Sequence, residues 1–215
     1  MDASLPTLTY FAIHAKADPI RMLLSKAGCA YNDEQLTFES FGPMKAAGRF
    51  PNGQVPMWLT PEGAVHTQAY AILRMLGRQH GFYDGANAEE SYIVDWVLET
   101  SLDLQQQKVY MTQLQPSDNE ETNAASTVNF TKWHDQIVKK LTDGGKDFIA
   151  GDRLTIADMV ILSHYLCLAI NPACELPCVA ARAAVVNGSE IVTAYLERCK
   201  VQLADFMAIR GSFPC

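Results

Sequence analysis

The chain has no excess of basic residues: 17 Lys and Arg stand against 24 Asp and Glu, a formal net charge of −7 over 215 residues, with no basic cluster. Such a surface repels phosphate backbones and anionic headgroups at long range, so no nucleic acid and no membrane is expected as a partner. Long apolar runs are missing too. The longest, Met159 to Ile170, is broken by Ser163 and His164 and falls short of the roughly 20 residues a membrane helix needs. Met1-Asp2-Ala3 lacks the basic start and apolar run of a secretory signal, and Ser212-Phe213-Pro214-Cys215 is not a prenylation box, so a cytoplasmic location is expected. Cysteine is sparse: Cys29, Cys167, Cys174, Cys178, Cys199 and Cys215 are expected as buried thiols, not disulfides. With 48% apolar and 19% charged residues, 13 Gly and 10 Pro, disordered, collagenous and coiled-coil readings fall away, and a folded globular chain remains.

What is present divides the chain in two. From Thr7 to Gly81 short β-rich runs alternate with helical segments, the pattern of an α/β unit. Leu8-Thr9-Tyr10-Phe11 reads as a strand. Asp18-Pro19 then opens a helix, with Asp18 at the N-cap, Ile20, Leu23, Leu24 and Ala27 on one face, and Gly28 as the stop. Gln35 to Phe38 is a second strand candidate, and Ser40 to Gly48, which carries Lys45, reads as a loop or irregular helical turn. Val55 to Leu59, the turn Thr60-Pro61-Glu62-Gly63 and Ala64 to Thr67 read as a hairpin, followed by a helix from Ala69 to His80 that stops at Gly81. Beyond Tyr83 to Asn87 the pattern is helical. Helices are expected at Glu89 to Gln115, at Ser117 to Leu141 behind a Ser117/Glu120 capping box, at Thr155 to Ile170, and onward from Cys178 and Ser189.

Three local groupings carry possible chemistry. Asp95, Glu99 and Asp103 recur every four residues, which aligns their carboxylates on one helix face. Such a stripe is usually a solvated surface, and one helix alone cannot surround a hard cation. His164, Cys167, Cys174 and Cys178 fit no compact structural-zinc spacing, so core packing is expected and no metal is assigned. The first half holds no Cys-x-x-Cys, which leaves thioredoxin-type disulfide exchange without support.

The segment Gly151-Asp152-Arg153-Leu154-Thr155-Ile156-Ala157-Asp158 sets a helix start through a Thr155/Asp158 capping box. It also resembles the capping segment in the helical domain of cytosolic glutathione transferases. Thr7 to Phe11, Pro19 to Leu24, Ala27 to Tyr31, Gly53-Gln54-Val55-Pro56 and Gln68 to Arg74 resemble that family's thioredoxin-like domain in order and spacing. The early Tyr10 is most similar to the tyrosine-type, sigma-like branch. The fold this implies is α/β plus all-α: a thioredoxin-like domain over residues 1–83, a linker over 84–88 and an all-helical domain over 89–215.

The resemblance also implies roles. Glutathione would be the co-substrate, and the Tyr10 hydroxyl would hydrogen-bond its sulfur and favour thiolate. A cis Val55-Pro56 bond, preceded by Gln54, would turn the Val55 amide outward to pair with the tripeptide. Lys45 would serve the glycyl carboxylate, Lys16 stands where a sigma-like enzyme carries Arg, and Phe41 stands where Trp is usual. Gln68 and the helix N-terminus would hold the γ-glutamyl carboxylate, but Ala69 replaces the usual Ser and supplies no hydroxyl. Asp103 would reach the ligand amine across a homodimer interface. The expected activity is conjugation of glutathione to a small hydrophobic electrophile, received by the Ile13 loop, the Tyr110–Thr112 region and the tail near Phe213. Alternatives are a sigma-like isomerase or peroxidase, and a non-catalytic binding or structural protein.

Overall fold

The computed structural model describes residues 2–107, 109, 111–114 and 119–213. Four strands form one mixed sheet in the order β2-β1-β3-β4, with β1 at Thr7–Phe11, β2 at Asn32–Leu36, β3 at Met57–Leu59 and β4 at Val65–Thr67. β1 runs parallel to β2, Thr7 facing Asn32 and Phe11 facing Leu36, and antiparallel to β3, Thr7 facing Leu59. Because side chains alternate along a strand, Leu8 and Tyr10 enter the large core, whereas Phe11 packs on a smaller cluster of Leu36, Phe50 and Met57.

Helices α1 (Asp18–Lys26) and α3 (Ala69–Gln79) pack on each other and into the large core. Both end before a glycine in the left-handed region, Gly28 at φ +65° and Gly81 at φ +78°, as the sequence suggests. Asp18 does not cap α1. It is the first helical residue and is fully buried, its carboxylate 3.3 Å from His14 and 3.0 Å from Arg210, so tertiary ion pairing displaced the capping role. Burial raises its carboxyl, but the hydrogen bond from His14 and the charge of Arg210 hold it below the ordinary value. The second strand lies earlier than expected, and where a loop or irregular helical turn is expected over Ser40 to Gly48 the chain is a regular helix as far as Ala46. Helix α2 (Phe38–Ala46) starts at a reciprocal cap between Thr37 and Ser40 and buries no residue fully, so it carries no strong apolar stripe to reveal it.

The remainder is helical: α4 (Ala88–Gln106), α5 (Met111–Leu114), α6 (Glu120–Gly144), α7 (Ile156–Leu168), α8 (Pro177–Asn187), α9 (Glu190–Gln202) and α10 (Ala204–Ile209). Asn119 caps α6, its side chain accepting the Thr122 N–H at 3.0 Å. Ser117, Gln115 and Tyr110 lie outside the described residues, as does Cys215. Among the described residues no helix is long and apolar enough to cross a membrane, and no group of three His, Cys, Asp or Glu could hold a metal ion.

Every residue of α7 is buried, and it packs on α1, α3, α4 and α9. Its start is fixed by Asp158, whose carboxylate accepts from the Thr155 N–H at 2.7 Å and Oγ1 at 2.9 Å, the Ile149 N–H at 2.9 Å and the Tyr195 hydroxyl at 2.7 Å. Burial outweighs these donors and pushes the carboxyl above its ordinary range. Gly77 of α3 allows the close approach of α3 to this point, since a Cβ there would sit 2.9 Å from Ile156 Cγ2. Asp158→Ala strands two buried amides and a phenol and is expected to cost about 3 kcal/mol or more in urea unfolding.

His164, also on α7, is fully buried and burial lowers its imidazole to about 4. The unfolded chain therefore takes up a proton near pH 6.5 that the folded state refuses, so this residue's contribution is intact above pH 6.5 and shrinks as pH falls toward 4. The full loss amounts to roughly 3 kcal/mol. In His164→Leu, unfolding free energy measured from pH 7 to 4 is expected to lose that slope.

Candidate active site

An open cleft of about 190 Å³ lies where the segment before β3, the N-terminal half of α3 and the C-terminal end of α4 meet. Of the expected site residues, Lys16, Gln54, Val55, Pro56, Gln68 and Ala69 line it together. The Val55–Pro56 peptide is cis, and Pro56 is buried while Gln54 stays exposed. Gln68 caps α3 at φ +71°, ψ +110°, a conformation that favours glycine. The first three helical residues, Ala69, Tyr70 and Ala71, all face the cleft. The opening amides of a helix have no partner within it and attract negative charge.

The cleft is positive. Lys16 and Arg74 line it, and no carboxylate does among its lining residues. Arg74 is held from behind by α4, with Nε 2.8 Å from Asp95 and Nη2 2.6 Å from Glu99. Two carboxylates of the acidic stripe are thus engaged by one guanidinium, which orients Arg74 and offsets much of its charge. Asn52 donates to Thr67 Oγ1 at 2.8 Å and Gln105 donates to Tyr70 Oη at 3.0 Å, so polar groups of four segments converge on one wall. Burial keeps the Tyr70 phenol well above its ordinary range and therefore protonated.

Tyr10 is not on the cleft wall but behind it. Its ring is in the large core, 5% exposed, and its hydroxyl oxygen accepts the Lys16 N–H at 3.4 Å. Ala15, at φ +34°, bends the loop after β1 so that Lys16 crosses over Tyr10 and reaches the cleft. Phe41 lies on the other face of the sheet, 5.1 Å from Phe11 and 5.3 Å from Phe50. Lys45 sits above Phe41, Nζ 5.9 Å from the ring centroid, and against Gly53, whose absent Cβ would be 3.0 Å from Lys45 Cε. Lys45 therefore flanks the Gly53–Gln54 rim. Asp103 is exposed on α4, and Leu102 and Gln105 are the α4 residues that line the cleft.

Of the residues expected around a second-substrate pocket, Ile13 is buried and its carbonyl accepts from Arg21 at 2.8 Å. Phe213 packs on His14 at 5.0 Å and its carbonyl accepts from Asn171 at 3.0 Å. Thr112 is buried away from both, donating to the Val109 carbonyl at 2.8 Å and accepting from Arg182 at 3.0 Å. Sequence reasoning missed Asn52, Thr67, Tyr70, Arg74, Leu102 and Gln105. Only Arg74 carried a signal, since a basic residue one turn along from the cleft-facing Tyr70 and Ala71 shares their face.

No family model matches the sequence. Individual relatives do. "Glutathione S-transferase 3" of Caenorhabditis elegans is 32% identical over 166 residues, covering 73% of this chain and 77% of the relative. "Glutathione S-transferase" of Dirofilaria immitis is 33% identical over 166 residues, covering 73% and 74%. The chain is an enzyme of the glutathione S-transferase family. The solved structure of NaGST-2 superposes on it with a TM-score of 0.83 and 25% identity, over 98% of this chain and 99% of that one. The thioredoxin-like unit followed by helices is therefore the fold of this transferase, as its sequence resemblance implies.

A non-glycine residue held at φ +71° costs on the order of 1–3 kcal/mol. Gln68→Gly is expected to leave the urea midpoint unchanged or raised, whereas Gln68→Val lowers it. Equal loss in both would show that the backbone conformation is not the source of the cost.

Proposed function

We propose that the cleft binds glutathione and that the chain conjugates its thiolate to small hydrophobic electrophiles. The observation that carries the reading is the pairing of an open α3 N-terminus with two lining cations and no lining carboxylate. Glutathione has two carboxylates at its ends, a peptide backbone between them and one thiol. The γ-glutamyl carboxylate would meet the first amides of α3 and Gln68. The cysteinyl amide would pair with the Val55 backbone as an added strand, and the glycyl carboxylate would lie between Lys16 and Lys45.

The thiol then falls toward Tyr10. A free thiol near pKa 8.5 is mostly protonated at neutral pH, so an O–H donor to sulfur shifts the balance to thiolate. The Lys16 N–H, donating to the Tyr10 oxygen, polarises that O–H and strengthens its donation. The thiol proton is released to solvent and the thiolate attacks an electrophilic carbon; in substitution the displaced group leaves as an anion, and in addition the developing carbanion takes a proton from solvent. The reading includes a sigma-like class, a cytoplasmic location and a homodimer in which the exposed Asp103 reaches the partner's ligand.

Ala69 sets the affinity. A hydroxyl donating to a carboxylate is worth about 1.5–3 kcal/mol, so its absence corresponds to a weakening of roughly tenfold to a hundredfold. Titration calorimetry is expected to show glutathione binding in the micromolar-to-millimolar range, tightened at least tenfold in Ala69→Ser. Tyr10→Phe keeps the ring in the core and is expected to lower conjugation of an aryl halide about 100-fold with binding retained. If neither the wild type nor Ala69→Ser binds glutathione, catalysis is excluded and the fold serves binding or structure.

A further inference from the structure

A second sulfur site lies at the far ends of α1 and α3. Cys29 follows the stop of α1, its N–H bonded to the Leu24 carbonyl at 2.9 Å, and His80 caps the C-terminus of α3, its N–H bonded to the Leu76 carbonyl at 3.0 Å. Backbone bonds thus fix both residues, and they bring Cys29 Sγ to 3.4 Å from His80 Nε2. The pair lines a cavity of about 490 Å³ whose other walls are largely apolar, with Leu24, Trp58, Pro61 and Leu76 among them. That volume is in the range of small-molecule sites. None of the residues lining this cavity lines the cleft described above.

We propose that Cys29 and His80 form a second reactive site, at which a neutral, apolar α,β-unsaturated carbonyl compound is captured covalently. The apolar walls favour such a ligand, and Glu62, on the turn between β3 and β4, lines the same cavity and disfavours anions. The new bond joins Sγ to the β-carbon, the double-bond electron pair moves toward the carbonyl, and the thiol proton passes to His80. Solvent returns a proton to the α-carbon; nothing is oxidised or reduced and no group leaves. Burial pushes the Cys29 thiol up, so the sulfur rests protonated and a base must take the proton as the bond forms. His80 is placed for that, its Nε2 lying 3.4 Å from the sulfur.

The test uses the full chain without glutathione, so its outcome is separate from that of the transferase reading. Limiting N-ethylmaleimide is added and adducts are assigned by peptide mass mapping. Cys29 is expected to label ahead of Cys174, the other half-buried described cysteine. His80→Gln is expected to slow labelling of Cys29 at least tenfold while Cys174 keeps its rate, and that second rate reports intact folding. If His80→Gln also exposes the buried Cys167, Cys178 and Cys199, His80→Asn is measured instead. A sulfonated maleimide is expected to react with Cys29 several-fold more slowly than N-ethylmaleimide. Labelling of Cys29 no faster than Cys174, or an equal Cys29 rate in the folded His80 variant, overturns the site; equal rates for the two maleimides overturn the apolar, neutral ligand class.

Discussion

The carboxylate of Asp158 is the point on which the architecture depends. A charge-bearing group with no exposed surface is tolerated only when its hydrogen-bonding capacity is filled, and four donors from three segments fill it here. Those donors tie the turn before α7, the cap of α7 and α9 to one another. α7 is then free to be buried on every face, because its own opening amides are satisfied and its direction is set. The Ile156 N–H also bonds the Phe82 carbonyl at 2.8 Å, which connects the end of the α/β unit to the start of this buried helix. Since α7 is the surface against which α1 and α3 pack, a bond network more than 80 residues along the chain from Gln68 determines where the cleft-forming turn of α3 lies.

The cleft is built from groups that the backbone positions, not from side chains projecting into solvent. Pro56 turns the chain, Gln68 turns it again at a conformation glycine would accept more readily, and the amides of α3 are left pointing outward. Charge at the cleft is graded in the same way. Arg74 is oriented by Asp95 and Glu99 but nearly neutralised by them, whereas Lys16 is exposed with no carboxylate among the residues beside it in the cleft. Attraction for an anion therefore rests mainly on Lys16 and the helix N-terminus.

Much of this was legible because it is local. The strand Thr7–Phe11, the hairpin, the helix from Ala69 to Gln79 and the capping box at Thr155 follow from alternation, turn residues and capping residues within a few positions of one another. What was not legible is non-local or lacks an apolar pattern. Asp18 looked like a cap because Asp before Pro usually is one; its partner Arg210 is 192 residues away. α2 shows only an irregular helical turn in the sequence, since Gly42 and Pro43 interrupt it and, with none of its residues fully buried, it has no strong apolar stripe. Leu102 and Gln105 entered the site through a helix crossing that no short-range spacing encodes, and Cys29 meets His80 across 51 residues for the same reason.

Tyr10 has the burial of a core residue, and the role proposed for it depends on that burial. Its ring fills the core beneath the sheet, and this packing holds the hydroxyl at one fixed place beside the Lys16 amide. A donor on a mobile side chain would have to be ordered at each turnover, and its hydrogen bond to sulfur would compete with water. A donor whose ring is already buried has its ordering built into the folding of the domain, and the low dielectric around it strengthens the bond it makes. On the proposed reading, burial of the ring and donation by the hydroxyl to sulfur would be two consequences of the same placement.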